Sequence, residues 1–86
     1  MIDKMRAYRD TELSTKAMAV YLYLCDRAGR ESKSCFPSIK TISRDLKLSE
    51  SSVKRSIREL QDRGYIEKEQ RFRDNGGKSS NLYRIL

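Results

Sequence analysis

Between Leu13 and Ala28 the apolar side chains recur at helical spacing. Laid out at about 100° per residue, Leu13, Ala17, Val20, Tyr21, Leu24 and Ala28 share one arc. Met18, Leu22 and Cys25 widen that arc to about 200°, beyond the ~100° stripe of an ordinary surface helix. The pattern predicts a first helix over Leu13–Ala28, ended by Gly29. Such a helix is central and packed from two sides, or it keeps part of its face for a second subunit. A second helix follows Cys35-Phe36-Pro37-Ser38, because Pro37 suits a first helical turn and Ser38 is a capping type. Ile39, Ile42 and Leu46 then recur at helical spacing and leave Lys40, Arg44 and Lys47 outward. The third helix begins at the capping Ser49 and runs to about Arg63. Val53, Ile57 and Leu60 form its buried stripe, and Gly64 stops it.

Past Gly64 the period shortens to that of a strand. Tyr65 to Phe72 carries Ile66 and Phe72 at even offsets with charges between, and Leu82 to Leu86 is again β-prone. Between them Asp74-Asn75-Gly76-Gly77 contains Asn-Gly, the strongest short hairpin signal. A ribbon of two strands is predicted. Residues 5–9 are a candidate short third strand.

Only Lys47-Leu48-Ser49 separates the second and third helices. So tight a joint fits a helix-turn-helix, in which the first helix of the pair braces the second against DNA. Ile42, Leu46, Leu48, Val53, Ile57 and Leu60 are spaced as one small core around that turn. With the hairpin added, the expected fold is α+β, mainly α: a winged helix-turn-helix of three helices followed by a two-stranded wing. A single domain over residues 1–86 is expected, with 10–86 as its core and 1–9 as an N-terminal arm or short strand.

The stretches Leu13-Ser14-Thr15-Lys16-Ala17, Cys35-Phe36-Pro37-Ser38-Ile39-Lys40-Thr41-Ile42, Leu48-Ser49-Glu50-Ser51-Ser52-Val53, Ile57-Arg58-Glu59-Leu60 and Gly64-Tyr65-Ile66 resemble a known family. It is that of the winged helix-turn-helix domains of phage replisome-organiser and plasmid or mobile-element proteins. The closing Asn81-Leu82-Tyr83 is similar to their second wing strand, so the resemblance spans roughly residues 11–86. The chain departs from the pattern at Ser43, where many such motifs carry Ala, and at Lys47, where they often carry Gly. Lys47 must then reach a conformation that glycine finds easier. The resemblance implies DNA binding, with the process served differing between members.

Composition points the same way. The chain of 86 residues carries 19 Lys+Arg against 12 Asp+Glu, a net charge of +7 that suggests a polyanionic partner. The excess is spread along the chain, so a charged surface has to be assembled by folding. There is no His, which removes the usual general base, and two Cys without His make a poor zinc site. The longest apolar run, Ala17 to Cys25, is nine residues, too short for a membrane span. No signal-peptide core follows Met1, so a cytoplasmic protein with reduced thiols is expected. An enzyme, a cofactor, a small-molecule substrate and a metal are not expected.

The candidate DNA contacts follow from the third helix. Opposite its apolar stripe lie Ser51, Lys54, Arg55 and Arg58, with Ser52 at the edge and Ser49 at the start. Lys and Arg suit guanine O6 and N7, and Ser suits bases or phosphates. The competing reading makes Arg55–Glu59 and Arg58–Asp62 simple surface ion pairs, although the basic member precedes the acidic one, the weaker order. On the bracing helix, Ser38, Lys40 and Arg44 are candidate phosphate anchors. Arg71, Arg73 and Lys78 flank the wing turn, either to meet a phosphate or minor groove or to keep an exposed ribbon from aggregating. Tyr21, Phe36, Tyr65 and Tyr83 read as core aromatics, and Tyr23 as an exposed one.

The expected function is double-stranded DNA binding in transcriptional control, or in replication or transfer of a mobile element. The alternative is a protein-interaction winged helix that works through Met18, Leu22 and Cys25. With only those three side chains spare and no helix after Leu86, a monomer is expected, pairing if at all on adjacent DNA sites.

Overall fold

The computed structural model describes residues 5–29, 33–35, 37–69 and 82–86. In chain order the elements are α1 (Met5–Arg9), α2 (Thr15–Arg27), β1 (Ser34–Cys35), α3 (Ile39–Leu46), α4 (Glu50–Asp62), β2 (Ile66–Glu69) and β3 (Leu82–Ile85). The architecture is mainly helical α+β, and the expected three helices are α2, α3 and α4. Each starts at a serine whose hydroxyl accepts the backbone N–H three residues on: Ser14 from Ala17, Ser38 from Thr41 and Ser49 from Ser52, all at 3.1 Å. A capping oxygen satisfies one of the N–H groups that the first turn leaves unpaired.

The strands form one antiparallel sheet in the order β1-β3-β2. Ile66 pairs with Ile85 and Lys68 with Tyr83, while Cys35 of β1 also pairs with Tyr83 from the other side. Residues 5–9 do not supply the third strand. They form α1, and Ser34–Cys35 takes the edge of β3 instead. Met, Arg and Ala are good helix formers, which favours a helix there. In α1 only Ala7 is buried. The Asn-Gly turn of the wing lies outside the described residues.

α2 is the central helix, packed against α1, α3, α4, β1 and β3. Its buried side chains Ala17, Val20, Tyr21, Leu24 and Cys25 meet Ile42, Val53, Leu60, Tyr65 and Tyr83 in one core. The Tyr21 and Tyr65 rings pack edge to face with centroids 5.0 Å apart. The wide apolar arc of this helix is therefore core. Cys25 is buried, and Met18 and Leu22 are partly buried against the same cluster, so the spare surface expected there is largely used. Tyr23 is not free either: its hydroxyl donates to Asp45 Oδ2 at 2.6 Å and fastens α2 to α3.

Both cysteines are buried free thiols. Burial, with Cys25 nearby, pushes the Cys35 thiol up to about 11, so it stays protonated and unreactive near neutrality. Among the described residues, no helix is long and apolar enough to cross a membrane.

Candidate nucleic-acid interface

The joint between α3 and α4 consists of Lys47, Leu48 and Ser49. Lys47 sits in the left-handed region at φ 57° and ψ 40°, the conformation in which glycine is ordinarily found. Leu48 N–H donates to Ser43 O at 3.0 Å, closing the end of α3. The Ser43 hydroxyl donates to Leu48 O, so the serine that stands where many relatives of the motif carry Ala braces the turn. The departures at positions 43 and 47 thus meet at one place.

α4 buries Val53, Ser56, Ile57 and Leu60 and holds Ser51, Lys54, Arg55 and Arg58 in solvent. Neither ion pair of the competing reading forms within it. The Glu59 carboxylate instead accepts from Ser14, from N–H at 2.8 Å and from Oγ at 2.9 Å, which fixes the start of α2 against α4. Among the described residues, Lys54, Arg55 and Arg58 take part in no ion pair. Ser49 is exposed but spent as the cap, and the half-buried Ser52 lies at the edge of the exposed face.

On α3, Ser38 is likewise a cap, its hydroxyl paired with Thr41 Oγ1 at 2.9 Å. Lys40 is exposed. Arg44 points outward with its Nε 3.5 Å from Asp45 Oδ1. The Tyr23 hydroxyl, helped by Arg44 and Arg27, holds the Asp45 carboxyl below its ordinary range, whereas burial raises the Tyr23 phenol. Arg71, Arg73 and Lys78 of the wing lie outside the described residues.

Two cations outside the expected set stand beside the exposed face of α4. A groove of 410 Å³ between α4 and the sheet brings together Lys54, Arg58 and Lys68 over Ile57 and Tyr83. Lys68 could have been found from the strand period, because it lies two residues after the buried Ile66 and shares its side of the sheet. The neighbouring Glu67 and Glu69 face the other way, toward Arg84 at 3.3 and 3.9 Å. Lys16, on the other flank, donates to Ser52 Oγ at 3.4 Å. No helical wheel shows that contact, since the two residues belong to different helices.

The sequence profile of helix-turn-helix domains matches residues 11–66, from just before α2 to the start of β2. The chain belongs to the helix-turn-helix domain family. This is a family of DNA-binding, non-enzymatic domains, and its motif here is α3, the turn at Lys47 and α4. Among solved structures the fold is similar to a "possible transcriptional regulator" from Methanosarcina mazei Go1, with a TM-score of 0.65 at 24% identity. The match covers 86% of this chain and 57% of that one, so the chain corresponds to little more than half of that protein. No curated protein matches the chain. The arrangement of sheet and helices is consistent with a winged form of the motif.

Proposed function

We propose that this helix-turn-helix domain binds double-stranded DNA with α4 in the major groove. One observation carries the reading: among the described residues, Lys54, Arg55 and Arg58 share the exposed face of α4 with no carboxylate pairing, although Asp62 lies four residues after Arg58. Exposed cations left without an acidic partner suit a partner that brings its own negative charge. Ser51, Ser52, Lys54 and Arg55 face the groove, with Arg58 behind them and Ser49 at the helix start. Lys40 and Arg44 on α3 hold the flanking phosphates, joined by Lys68, while Ser38, whose hydroxyl is used as the cap, serves by fixing the start of α3. Arg71, Arg73 and Lys78 of the wing, which lie outside the described residues, would add a phosphate or minor-groove contact.

The domain works as a monomer that pairs, if at all, on adjacent sites of one duplex. The process is transcriptional control, suggested by the likeness to a possible transcriptional regulator, or replication or transfer of a mobile element, suggested by the sequence resemblance. The interaction-module alternative loses ground because α2 spends its apolar arc on the core.

A salt titration against duplex DNA tests the proposal. With roughly 5–6 phosphates neutralised, log K falls with a slope near −5 against log salt. Absence of duplex binding at ~50 mM salt removes the reading. Sedimentation at micromolar concentration without DNA tests the monomer.

A further inference from the structure

Ser52, a candidate contact in the first turn of α4, has a hydroxyl already committed in direction. A hydroxyl has one hydrogen to donate and two lone pairs to accept with. Ser49 Oγ donates to Ser52 Oγ at 2.9 Å, while accepting the Ser52 backbone N–H at 3.1 Å in its role as cap. Lys16 Nζ, which can only donate, reaches the same Ser52 oxygen at 3.4 Å from α2. Both lone pairs of Ser52 are then occupied. Its own hydrogen has no acceptor among the described residues.

We propose that Lys16 and Ser49 turn Ser52 into a donor-only group at the start of α4, so that whatever DNA atom it meets must be an acceptor. The inference rests on α4 being the DNA-facing helix and adds a rule to it. In the major groove the acceptors are guanine O6 and N7, adenine N7 and thymine O4, and the amino groups of cytosine and adenine are refused. A phosphate oxygen satisfies the same demand. A serine free to rotate would accept or donate and discriminate little. Lys16 acts here as a positioning residue, held in place because Glu59 grips Ser14 two residues before it.

The test is a double-mutant cycle on the whole chain, with duplexes selected from a randomised pool by the wild-type protein. Ser52→Ala lowers affinity about two- to tenfold, the range of one net hydrogen bond. The loss is confined to one base position if the acceptor is a base. It is the same for all duplexes, and disappears on substituting one phosphate by methylphosphonate, if the acceptor is the backbone. Lys16→Met weakens binding in the wild-type background and much less in the Ser52→Ala background, whereas Lys16→Arg, still a donor, behaves as wild type. Lys16 is exposed and Ser52 half-buried, and thermal melting checks that each variant is folded. An equal loss from Lys16→Met in both backgrounds shows a plain electrostatic role and overturns the proposal. So does Ser52→Ala binding every duplex as well as wild type. Failure of the wild-type protein to bind any duplex overturns the assignment of α4 as well, which separates the two outcomes.

Discussion

The two ends of α4 carry the same kind of side chain in opposite circumstances. Toward the N-terminal end, Lys54 and Arg55 stand in solvent without an acidic partner among the described residues. At the C-terminal end Arg63 is held by Asp10, with Nη2 2.7 Å and Nε 3.0 Å from Oδ2, and Nη1 reaches Glu12 at 3.4 Å. Tyr65 donates to the same Asp10 oxygen at 2.8 Å, and the Arg6 guanidinium lies 4.1 Å from the centre of the Tyr65 ring. Arg6 also donates to Gly64 O at 3.2 Å. Hydrogen bonds from Arg63 and Tyr65 keep the Asp10 carboxyl below its ordinary range. Basic residues on one helix thus divide by their partners. At the far end they join the helix to the segment before α2, and at the near end they are left for something outside the chain.

The largest effect that would break this contrast lies at the closed end. Tyr65→Ala removes a buried ring, its edge-to-face contact with Tyr21 and the donor to Asp10, and should cost ~3–5 kcal/mol of stability in urea unfolding. DNA affinity of the fraction that stays folded should change little. Arg55→Ala should show the reverse. It loses ~1–3 kcal/mol on the preferred duplex with an unchanged unfolding midpoint. Arg63→Ala sharpens the comparison, because it should lower the melting temperature and leave sequence preference as it was. An Arg63→Ala variant that lost preference as Arg55→Ala does would show the two ends to be one surface.

A smaller change is expected at the entrance to α4. Lys47→Gly relieves a left-handed conformation that costs a side-chain-bearing residue roughly 1–2 kcal/mol. Part of that is returned through the freer unfolded chain, so the net gain should be about 0.5–1 kcal/mol in thermal unfolding. The smallest effect is confined to acid. A carboxyl depressed in the folded state adds stability above its unfolded value of 3.8, lost as pH falls through the lower folded value. Stability of the wild-type protein should therefore decline below about pH 4 more steeply than that of Asp10→Asn. Parallel curves in a pH series of melting temperatures would show that the clasp at the closed end does not depend on the Asp10 charge.

Much of this was open to reading along the chain. The serine caps, the turn at Lys47 and the stripe Val53–Ile57–Leu60 are local, because a helix repeats its faces every few residues whatever surrounds it. Those signals determined α2, α3, α4 and the motif they form, as well as which side of α4 is polar. Local pattern could not separate a helix from a strand at residues 5–9, where five residues hold less than two helical turns. It also could not show that Arg63 is paired, because its partners Asp10 and Glu12 lie on a distant segment. Only the tertiary structure brought Asp10 to Arg63, Ser14 to Glu59 and Lys16 to Ser52, across separations of 53, 45 and 36 residues. A charge's availability depends on what packs beside it, and packing between distant segments leaves no periodic trace in the sequence.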